Sequence, residues 1–158
     1  MHQGVELGLS HLYDRKIDSR MTLLYSDFKF VDDATSGNNA LPGFPPILLR
    51  AEVLYRFGTE VNGKPSFYAG PKLEWAPSKA PMDNANTLYN DGYALLGFKV
   101  GQAIDKKWSW FADVRNLTDK KYAATTNIAA SYASSPAGAY YYPGVGRSVY
   151  VGVEAKFD

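Results

Sequence analysis

Apolar and polar residues alternate with a period of two along most of the chain, which indicates β-strands rather than helices. Segment 147–157 shows this best, since Val151 and Val153 share one face while Glu154 and Lys156 fall on the other. We find no convincing helix pattern. The alternation predicts seven strands, at 4–10, 21–30, 47–57, 67–75, 94–101, 108–115 and 147–157.

The connections between the predicted strands alternate in length. Short turns are predicted near 13–19, 58–65 and 102–107. Long connections rich in Gly, Asn, Pro, Ser and Asp are predicted near 31–46, 77–91 and 125–143. This alternation of lengths is typical of an up-and-down antiparallel sheet with short turns at one end and long loops at the other, as in outer-membrane barrels.

The polar face of the predicted strands carries charges of both signs in similar number. A soluble sandwich would expose this face to water, whereas a membrane barrel would turn it towards a lumen. The aromatic residues favour the barrel, because rings near strand ends suit an interfacial girdle. Trp75 stands at one end of its strand, and the rings beside the short turns are Tyr55, Phe57, Trp108, Trp110 and Phe157. The charged residues of the polar face are Glu6, Arg50, Glu52, Arg56, Lys72, Glu74, Lys99, Asp113, Arg115, Glu154 and Lys156.

Composition excludes several classes of protein. The 158 residues suit one domain, and 17 basic against 16 acidic residues leave a formal charge of +1, which argues against a nucleic-acid-binding protein. The absence of Cys and the presence of only two His exclude thiol catalysis, disulfide scaffolds and a histidine-rich metal site. No apolar run approaches the roughly 20 residues of a transmembrane helix, and the N-terminus does not resemble a signal peptide.

Two C-terminal segments resemble a known family. Trp110-Phe-Ala-Asp-Val-Arg-Asn-Leu-Thr-Asp-Lys-Lys-Tyr122 resembles the penultimate-strand motif of TonB-dependent outer-membrane receptors, and 142–157 resembles their closing strand. Residues 2–9 are similar to an earlier barrel strand of the same family. One departure is Asp158, because the family usually ends on the aromatic residue that precedes it here.

The resemblance implies an all-β fold: an antiparallel up-and-down transmembrane β-barrel segment, with about seven strands of a 22-stranded barrel. Residues 1–158 would form the C-terminal portion of the barrel domain, and we expect the plug domain and the N-terminal strands to be absent. The implied function is active uptake of a scarce nutrient, such as a ferric siderophore or similar chelate, across the bacterial outer membrane. The implied partners are outer-membrane lipid, the barrel-assembly machinery and, through the missing N-terminal part, the TonB–ExbB–ExbD energising complex. No enzymatic activity, cofactor or resident metal is expected.

Three other functions are weighed against this one. A stand-alone small outer-membrane barrel with a structural or adhesive role would need one more strand than the pattern supplies. An outer-membrane hydrolase would need a Ser–His pair at the rim, but His11 falls on the apolar face beside a short turn. A soluble ligand-carrying barrel fits the unequal loops and the aromatic positions poorly.

Tyrosines near the predicted outer rim are the candidate ligand-binding residues. Tyr140, Tyr141 and Tyr142 precede a Pro-Gly pair, Arg147 follows one step into the last strand, and Tyr89 lies in the middle long connection. Tyrosine offers a stiff amphipathic ring and a hydroxyl, and arginine a fork for an anion. The alternatives, which we favour, are an upper aromatic girdle for the tyrosines and a paired lumen charge for the arginine.

Other polar motifs receive structural interpretations. The pair Asp32-Asp33 and Asp83 lack the spacing of a calcium loop, so we interpret them as solvated loop charge. Asn116-Leu117-Thr118 matches a glycosylation pattern, but Leu117 also interrupts the alternation, which a β-bulge would explain.

Overall fold

A seven-stranded antiparallel sheet forms the body of the computed structural model, which describes residues 1–134 and 140–157. Its strands are β1 His2–Tyr13, β2 Ile17–Phe28, β3 Ile47–Val61, β4 Lys64–Ala76, β7 Tyr93–Ala103, β8 Trp108–Arg115 and β11 Ser148–Ala155. They lie in the sheet in the order β1-β2-β3-β4-β7-β8-β11, and the described residues contain no helix. The predicted all-β, up-and-down architecture with seven main strands is confirmed.

Four short strands lie within the predicted long connections. Strand β5 (Ala80–Pro81) pairs with β6 (Tyr89–Asn90), and β9 (Ala123–Thr126) pairs with β10 (Tyr141–Pro143). Sequence alternation did not predict either ladder. Residues 135–139 of the third long connection, and Asp158, lie outside the described residues.

The sheet is open in the part of the chain that is described. Strands β1 and β11 lie at opposite edges and do not pair with each other. Each inner strand has antiparallel neighbours on both sides. The strand registers place the apolar positions of neighbouring strands on one face of the sheet and the polar positions on the other. No helix in the described ranges is long and apolar enough to span a membrane.

Local sequence explains the short turns. Asn62 and Gly63 both have positive φ, of 54° and 71°, as a two-residue hairpin turn requires, and they join β3 to β4. At the β7–β8 turn, the Asp105 carboxylate accepts the backbone N–H groups of Lys107 and Trp108, both at 2.7 Å. In such turns the Asp side chain supplies the hydrogen bonds that backbone pairing between strands would otherwise provide.

The predicted β-bulge occurs where β8 ends. The register of β7 and β8 would place Asn116 opposite Leu96, but it is Leu117 whose N–H donates to the Leu96 carbonyl, at 2.7 Å. Asn116 adopts a left-handed φ of 49°, which suits the first residue of a bulge. The extra residue explains why Leu117 breaks the alternation.

The convex face of the sheet is apolar and exposed. Val5, Leu9, Phe98 and Val151 are among the side chains that stand out from it, and Val151 is 72% exposed. Near the short turns, Phe57 lies between two rings, with centroids 6.0 Å from Tyr55 and 5.5 Å from Phe67. Another ring pair at this end joins Trp108 and Phe157. The predicted cluster of rings beside the short turns is therefore present.

Buried apolar residues gather at the other end of the sheet. Ala76, Ala80, Met82 and Ala123 are each at most 8% exposed, and they lie where the long connections meet the strands. Among the large apolar side chains of the described strands, only Leu54 is buried to this extent near the middle of the sheet. The main packed region is thus at the base of the loops rather than between layers.

Candidate functional site

The concave face of the sheet is lined by charged residues that the alternation placed on the polar face. A cavity of about 470 Å³ lies against it, bordered by Arg50, Glu52, Lys72, Glu74 and Arg115. Arg20 of β2, outside the predicted set, also borders this cavity. Three neighbouring strands bring Arg20, Glu52 and Lys72 to one level, because Arg20 pairs in register with Glu52 and Glu52 with Lys72.

Ion pairs cross the concave face from strand to strand. Arg50 Nε lies 2.8 Å from a Glu74 oxygen, and the Tyr93 hydroxyl donates to the other oxygen at 3.0 Å. Lys72 Nζ reaches Asp113, also at 2.8 Å, although β7 runs between their strands. Gly97 is the β7 residue opposite Lys72, so no β7 side chain stands between the two charges there.

Guanidinium groups on this face keep donors available. The Arg20, Arg50 and Arg115 side chains are 63, 62 and 58% exposed, and each contacts one carboxylate. A guanidinium has five N–H donors, so most remain for another polar or anionic partner. The face can therefore bind such groups without breaking its own ion pairs.

Cations stack on aromatic rings nearer the short turns. Arg56 lies over the Tyr68 ring at 5.6 Å, and Lys99 lies 5.9 Å from that ring and 5.8 Å from the Phe111 ring. The Tyr68 ring lies across Gly101 of the next strand, where a Cβ would collide with it. Aromatic rings therefore cover this part of the concave face, and cation–π contacts fix the charged side chains against them.

Three long loops meet at the opposite end and form what we call the loop cap. We define loop 1 as residues 29–46, loop 2 as 77–92 and loop 3 as 116–147, described over 116–134 and 140–147. Asn86 of loop 2 exchanges two hydrogen bonds with the backbone of Ala40 in loop 1, both at 2.9 Å.

Further backbone bonds join the loops. Gly43 of loop 1 donates to the Pro81 carbonyl of loop 2 at 2.9 Å. Asn84 and Ala85 of loop 2 donate to the Ala129 and Ala130 carbonyls of loop 3, at 3.0 and 2.9 Å. The three loops are thus cross-linked by hydrogen bonds between residues far apart in sequence.

Asp83 lies at the centre of the loop cap and is 0% exposed. Its carboxylate accepts the Thr87 N–H at 2.7 Å, the Thr87 hydroxyl, the Leu88 N–H at 3.4 Å and the Tyr132 N–H at 2.7 Å. Burial opposes ionisation, but these donors outweigh it and hold the pKa of Asp83 below its usual 3.8. The interpretation of Asp83 as solvated loop charge is therefore wrong.

Asp32 and Asp33 do fit that interpretation, since both are exposed. The Asp33 carboxylate shapes its own turn by accepting the N–H groups of Thr35 and Ser36, at 2.9 and 2.8 Å. These two bonds lower the pKa of Asp33. No group of three His, Cys, Asp or Glu in the described ranges could hold a metal ion.

The predicted tyrosines fall on two different ladders of the loop cap. Tyr141 and Tyr142, in β10, are 51 and 59% exposed. Tyr140 precedes them, and its ring meets the edge of the Tyr132 ring at 4.6 Å. Tyr89 lies in β6, is 48% exposed and pairs with Pro81. Tyr140, Tyr141 and Tyr142 are neighbours because they are consecutive in sequence, and Tyr89 is connected to them only through the contacts between loops.

Arg147 is anchored by its backbone. Its N–H donates to Asp119 Oδ1 at 2.9 Å, and its side chain is exposed. This bond and the Lys121 ammonium lower the pKa of Asp119. Within the described residues, the Arg147 guanidinium forms no hydrogen bond or ion pair, so the predicted pairing across the sheet is not observed.

Asn116 fastens the end of β8 to the segment that leads into β11. Its amide donates to the Lys120 carbonyl at 2.9 Å and to the Val145 carbonyl at 3.1 Å, and it accepts the Lys120 N–H at 2.8 Å. The Tyr122 ring lies against Gly144, where a Cβ would collide with it. We call this arrangement the Asn116 clasp. It gives Asn116 of the motif that runs from Trp110 to Tyr122 a structural role.

Comparison with known proteins matches the family described as "TonB dependent receptor-like, beta-barrel" over residues 1–117. This chain belongs to that family. Comparison with curated proteins gives no significant match.

Solved structures show the same fold for this member of the family. The ferric yersiniabactin uptake receptor FyuA from Yersinia pestis has a TM-score of 0.78 at 18% identity, covering 99% of this chain and 23% of its own. The siderophore receptor PiuA from Acinetobacter baumannii gives 0.73 at 21% identity, covering 99 and 22%. The copper transporter OprC gives 0.69 at 19% identity, covering 98 and 23%. The receptor-like chain thus spans less than a quarter of each of these proteins.

Two residues of this receptor-like chain matter more than its sequence indicated. Asp83 and Asn86 join the loops, yet they stand in a polar stretch with no periodic pattern. Asn86 has a positive φ of 54°, a conformation that Asn adopts readily. The density of Asp and Asn in 83–86 was therefore the available signal, although it pointed to a turn and not to a contact between loops.

Proposed function

We propose that this chain forms seven wall strands, from the C-terminal portion of the barrel, and three outer loops of a nutrient receptor in the bacterial outer membrane. The family match over residues 1–117 carries the proposal. We propose a ferric siderophore or a similar iron chelate as the cargo. The descriptions of FyuA as a ferric yersiniabactin uptake receptor and of PiuA as a siderophore receptor support this class.

The two faces of the sheet support the proposed location. The convex face exposes aliphatic side chains, and rings lie beside the short turns, as in barrels whose apolar band is bordered by an aromatic girdle. The short turns would then face the periplasm, and the loop cap the exterior. The convex face would contact lipid, after insertion by the barrel-assembly machinery.

The proposed activity is capture and passage of the cargo, without covalent chemistry. The loop cap would bind the chelate first, and the concave face would contact a plug and the passing cargo through its free guanidinium donors. Energy would come from the TonB–ExbB–ExbD complex acting on another part of the receptor.

Uptake by iron-starved cells tests this proposal. Deleting the gene should abolish accumulation of at least one ⁵⁵Fe-labelled chelate from a panel of catecholate, hydroxamate and mixed siderophores, and the full-length gene should restore it. Unchanged accumulation of every chelate would overturn iron uptake as the function. If surface adhesion were lost instead, the result would favour the alternative of a structural or adhesive barrel.

Binding variants test the residues. Tyr141→Ala and Tyr142→Ala should weaken chelate binding to cells, because both rings stand exposed on the loop cap. Arg147→Ala should weaken binding of an anionic chelate in particular. Tyr13→Ala is the matched control, since Tyr13 is 64% exposed but lies at the short-turn end. Equal effects at both ends would contradict the assignment of the tyrosines to the ligand site.

A further inference from the structure

Two side chains of loop 2 add a joint each to the backbone hydrogen bonds that connect the loops of the loop cap. Asn86 joins loops 1 and 2 through its paired bonds with Ala40. Asp83 joins loops 2 and 3, because it accepts donors from Thr87 and Leu88 on one side and from Tyr132 on the other. The two residues are three apart in sequence, so one turn of loop 2 carries both joints.

The joint at Asp83 depends on a buried anion. A carboxylate that accepts four hydrogen bonds cannot be replaced without leaving donors unsatisfied, and each unsatisfied buried group is costly. Three of the donors shape loop 2 itself, and the fourth, the Tyr132 N–H, lies 49 residues away. The same carboxylate therefore sets the shape of loop 2 and its attachment to loop 3.

This joint also links the two ladders that carry the candidate ligand tyrosines. On one side, Asp83 follows Pro81 and Met82 in the strand region that pairs with Tyr89. On the other side, it holds the backbone of Tyr132, whose ring contacts Tyr140. Asp83 therefore contributes to the relative placement of Tyr89 and Tyr140–Tyr142, beside the backbone bonds from Asn84 and Ala85 to loop 3.

We propose that Asp83 is a positioning residue that makes loops 2 and 3 a single ligand-presenting unit, to which Asn86 attaches loop 1. The chelate then meets one preassembled surface instead of three independent loops. This inference rests on the proposed function for its ligand, but its structural content is independent of any ligand. Asp83 touches no cargo; it acts through the tyrosines.

Distance measurements between spin labels test the two joints separately. The chain has no Cys, so labels can be introduced singly or in pairs, at Ala34 of loop 1, Lys79 of loop 2 and Ala133 of loop 3, all of which are exposed. The receptor is measured at full length in outer membranes by double electron–electron resonance. The parent protein should give narrow distance distributions for all three pairs.

The variants should separate the joints. Asp83→Asn replaces one acceptor oxygen by a donor and should broaden the Lys79–Ala133 distribution, leaving Ala34–Lys79 narrow. Asn86→Ala should do the reverse. The matched control is Asp33→Asn, since the amide keeps the oxygen that accepts both turn N–H groups. Heat resistance of the barrel in detergent gels shows whether each variant has folded.

Two outcomes would overturn the inference. Narrow distances between loops 2 and 3 in folded Asp83→Asn would show that other contacts hold them, and broadening in Asp33→Asn as well would show that the effect is not specific. Thr87→Val, which removes only the hydroxyl donor, should broaden the same pair less and provides a test if Asp83→Asn fails to fold.

Binding of a chelate identified by the uptake experiment adds a ligand readout. If the united state falls to a tenth of the population, the apparent Kd rises about tenfold. Broadened distances with unchanged Kd would retain the joint but refute its role in presenting ligand. Failure of every chelate to bind the parent protein would refute the proposed function and leave the distance result intact.

Discussion

Replacing Asn116 tests how the end of β8 is fastened to the start of β11. Asn116 is 4% exposed and satisfies two carbonyls and one N–H, on Lys120 and Val145. It also holds a φ of 49°, which costs most residues about 1 kcal/mol or more. The two contributions can be separated, because glycine tolerates this φ and alanine does not.

The expected magnitudes follow from these contacts. Each hydrogen bond lost contributes about 1 kcal/mol net, so Asn116→Gly should lower the free energy of unfolding by about 3 kcal/mol. Asn116→Ala should lower it by about 4 kcal/mol, since the left-handed backbone adds its own cost. The difference between the two variants isolates the backbone contribution.

The assay is equilibrium unfolding of the full-length receptor in lipid vesicles by guanidinium chloride. Hydrogen exchange followed by mass spectrometry locates the change. Both variants should exchange faster at 117–120 and 144–148, while the β3–β4 hairpin should exchange as in the parent. A parent-like stability of Asn116→Gly would refute the contribution of the clasp, and equal stabilities of the two variants would refute the backbone argument.

Three further predictions concern the faces of the sheet, its close backbone approaches and the loop cap. Val151→Arg, on the convex face, should lower the free energy of unfolding by about 2–4 kcal/mol if the residue lies near the bilayer midplane. Glu154→Gln should lower it by less than about 1 kcal/mol, because the ion pair of Glu154 with Lys156 is exposed. Equal losses for the two variants in vesicle unfolding would contradict the assignment of one apolar and one polar face. Gly70→Ala should destabilise the barrel, because the added Cβ would collide with the Val53 carbonyl. Gly8→Ala should leave the stability unchanged, because a Cβ at Gly8 would have no atom within 4 Å. The same unfolding assay checks both variants. The pKa of Asp83 is lowered in the folded protein, so its carboxylate stabilises the fold fully above the unfolded-state pKa near 3.8, and this stabilisation is lost as the pH falls through the lower folded-state pKa. Spin-label distance distributions in the loop cap should therefore be unchanged at pH 5 and broaden only below about pH 4. Broadening already at pH 5 would contradict this prediction.

The strands of the wall could be predicted from sequence because their pattern is local. Segment 147–157 alternates over most of its length, and β11 indeed covers Ser148–Ala155. Strand ends were less accurate: β2 runs over Ile17–Phe28 and not 21–30, since pairing with β1 continues down to the turn. Register with a neighbour, and not residue type, decides where such a strand stops.

The loop cap could not be predicted because its contacts join distant segments. Asp83 meets Tyr132 across 49 residues, and Asn86 meets Ala40 across 46. A polar stretch with Asp and Asn predicts a turn in the same way whether its carboxylate is solvated or buried. Burial, which decides between the two, is a property of the assembled loops.

The two ends of the sheet are consequently specified by different means. At the short-turn end, Asn62-Gly63 and Asp105 close hairpins with residues that lie within each turn. At the other end, the loops acquire their shape from one another, through buried groups such as Asp83. A substitution that collides within the wall, such as Gly70→Ala, should therefore lower stability while leaving the loop joints intact. Asp83→Asn should instead release the joint between loops 2 and 3 while the wall strands remain folded. The stability of the wall and the proposed presentation of ligand should thus be separable by the end of the sheet at which a substitution is made.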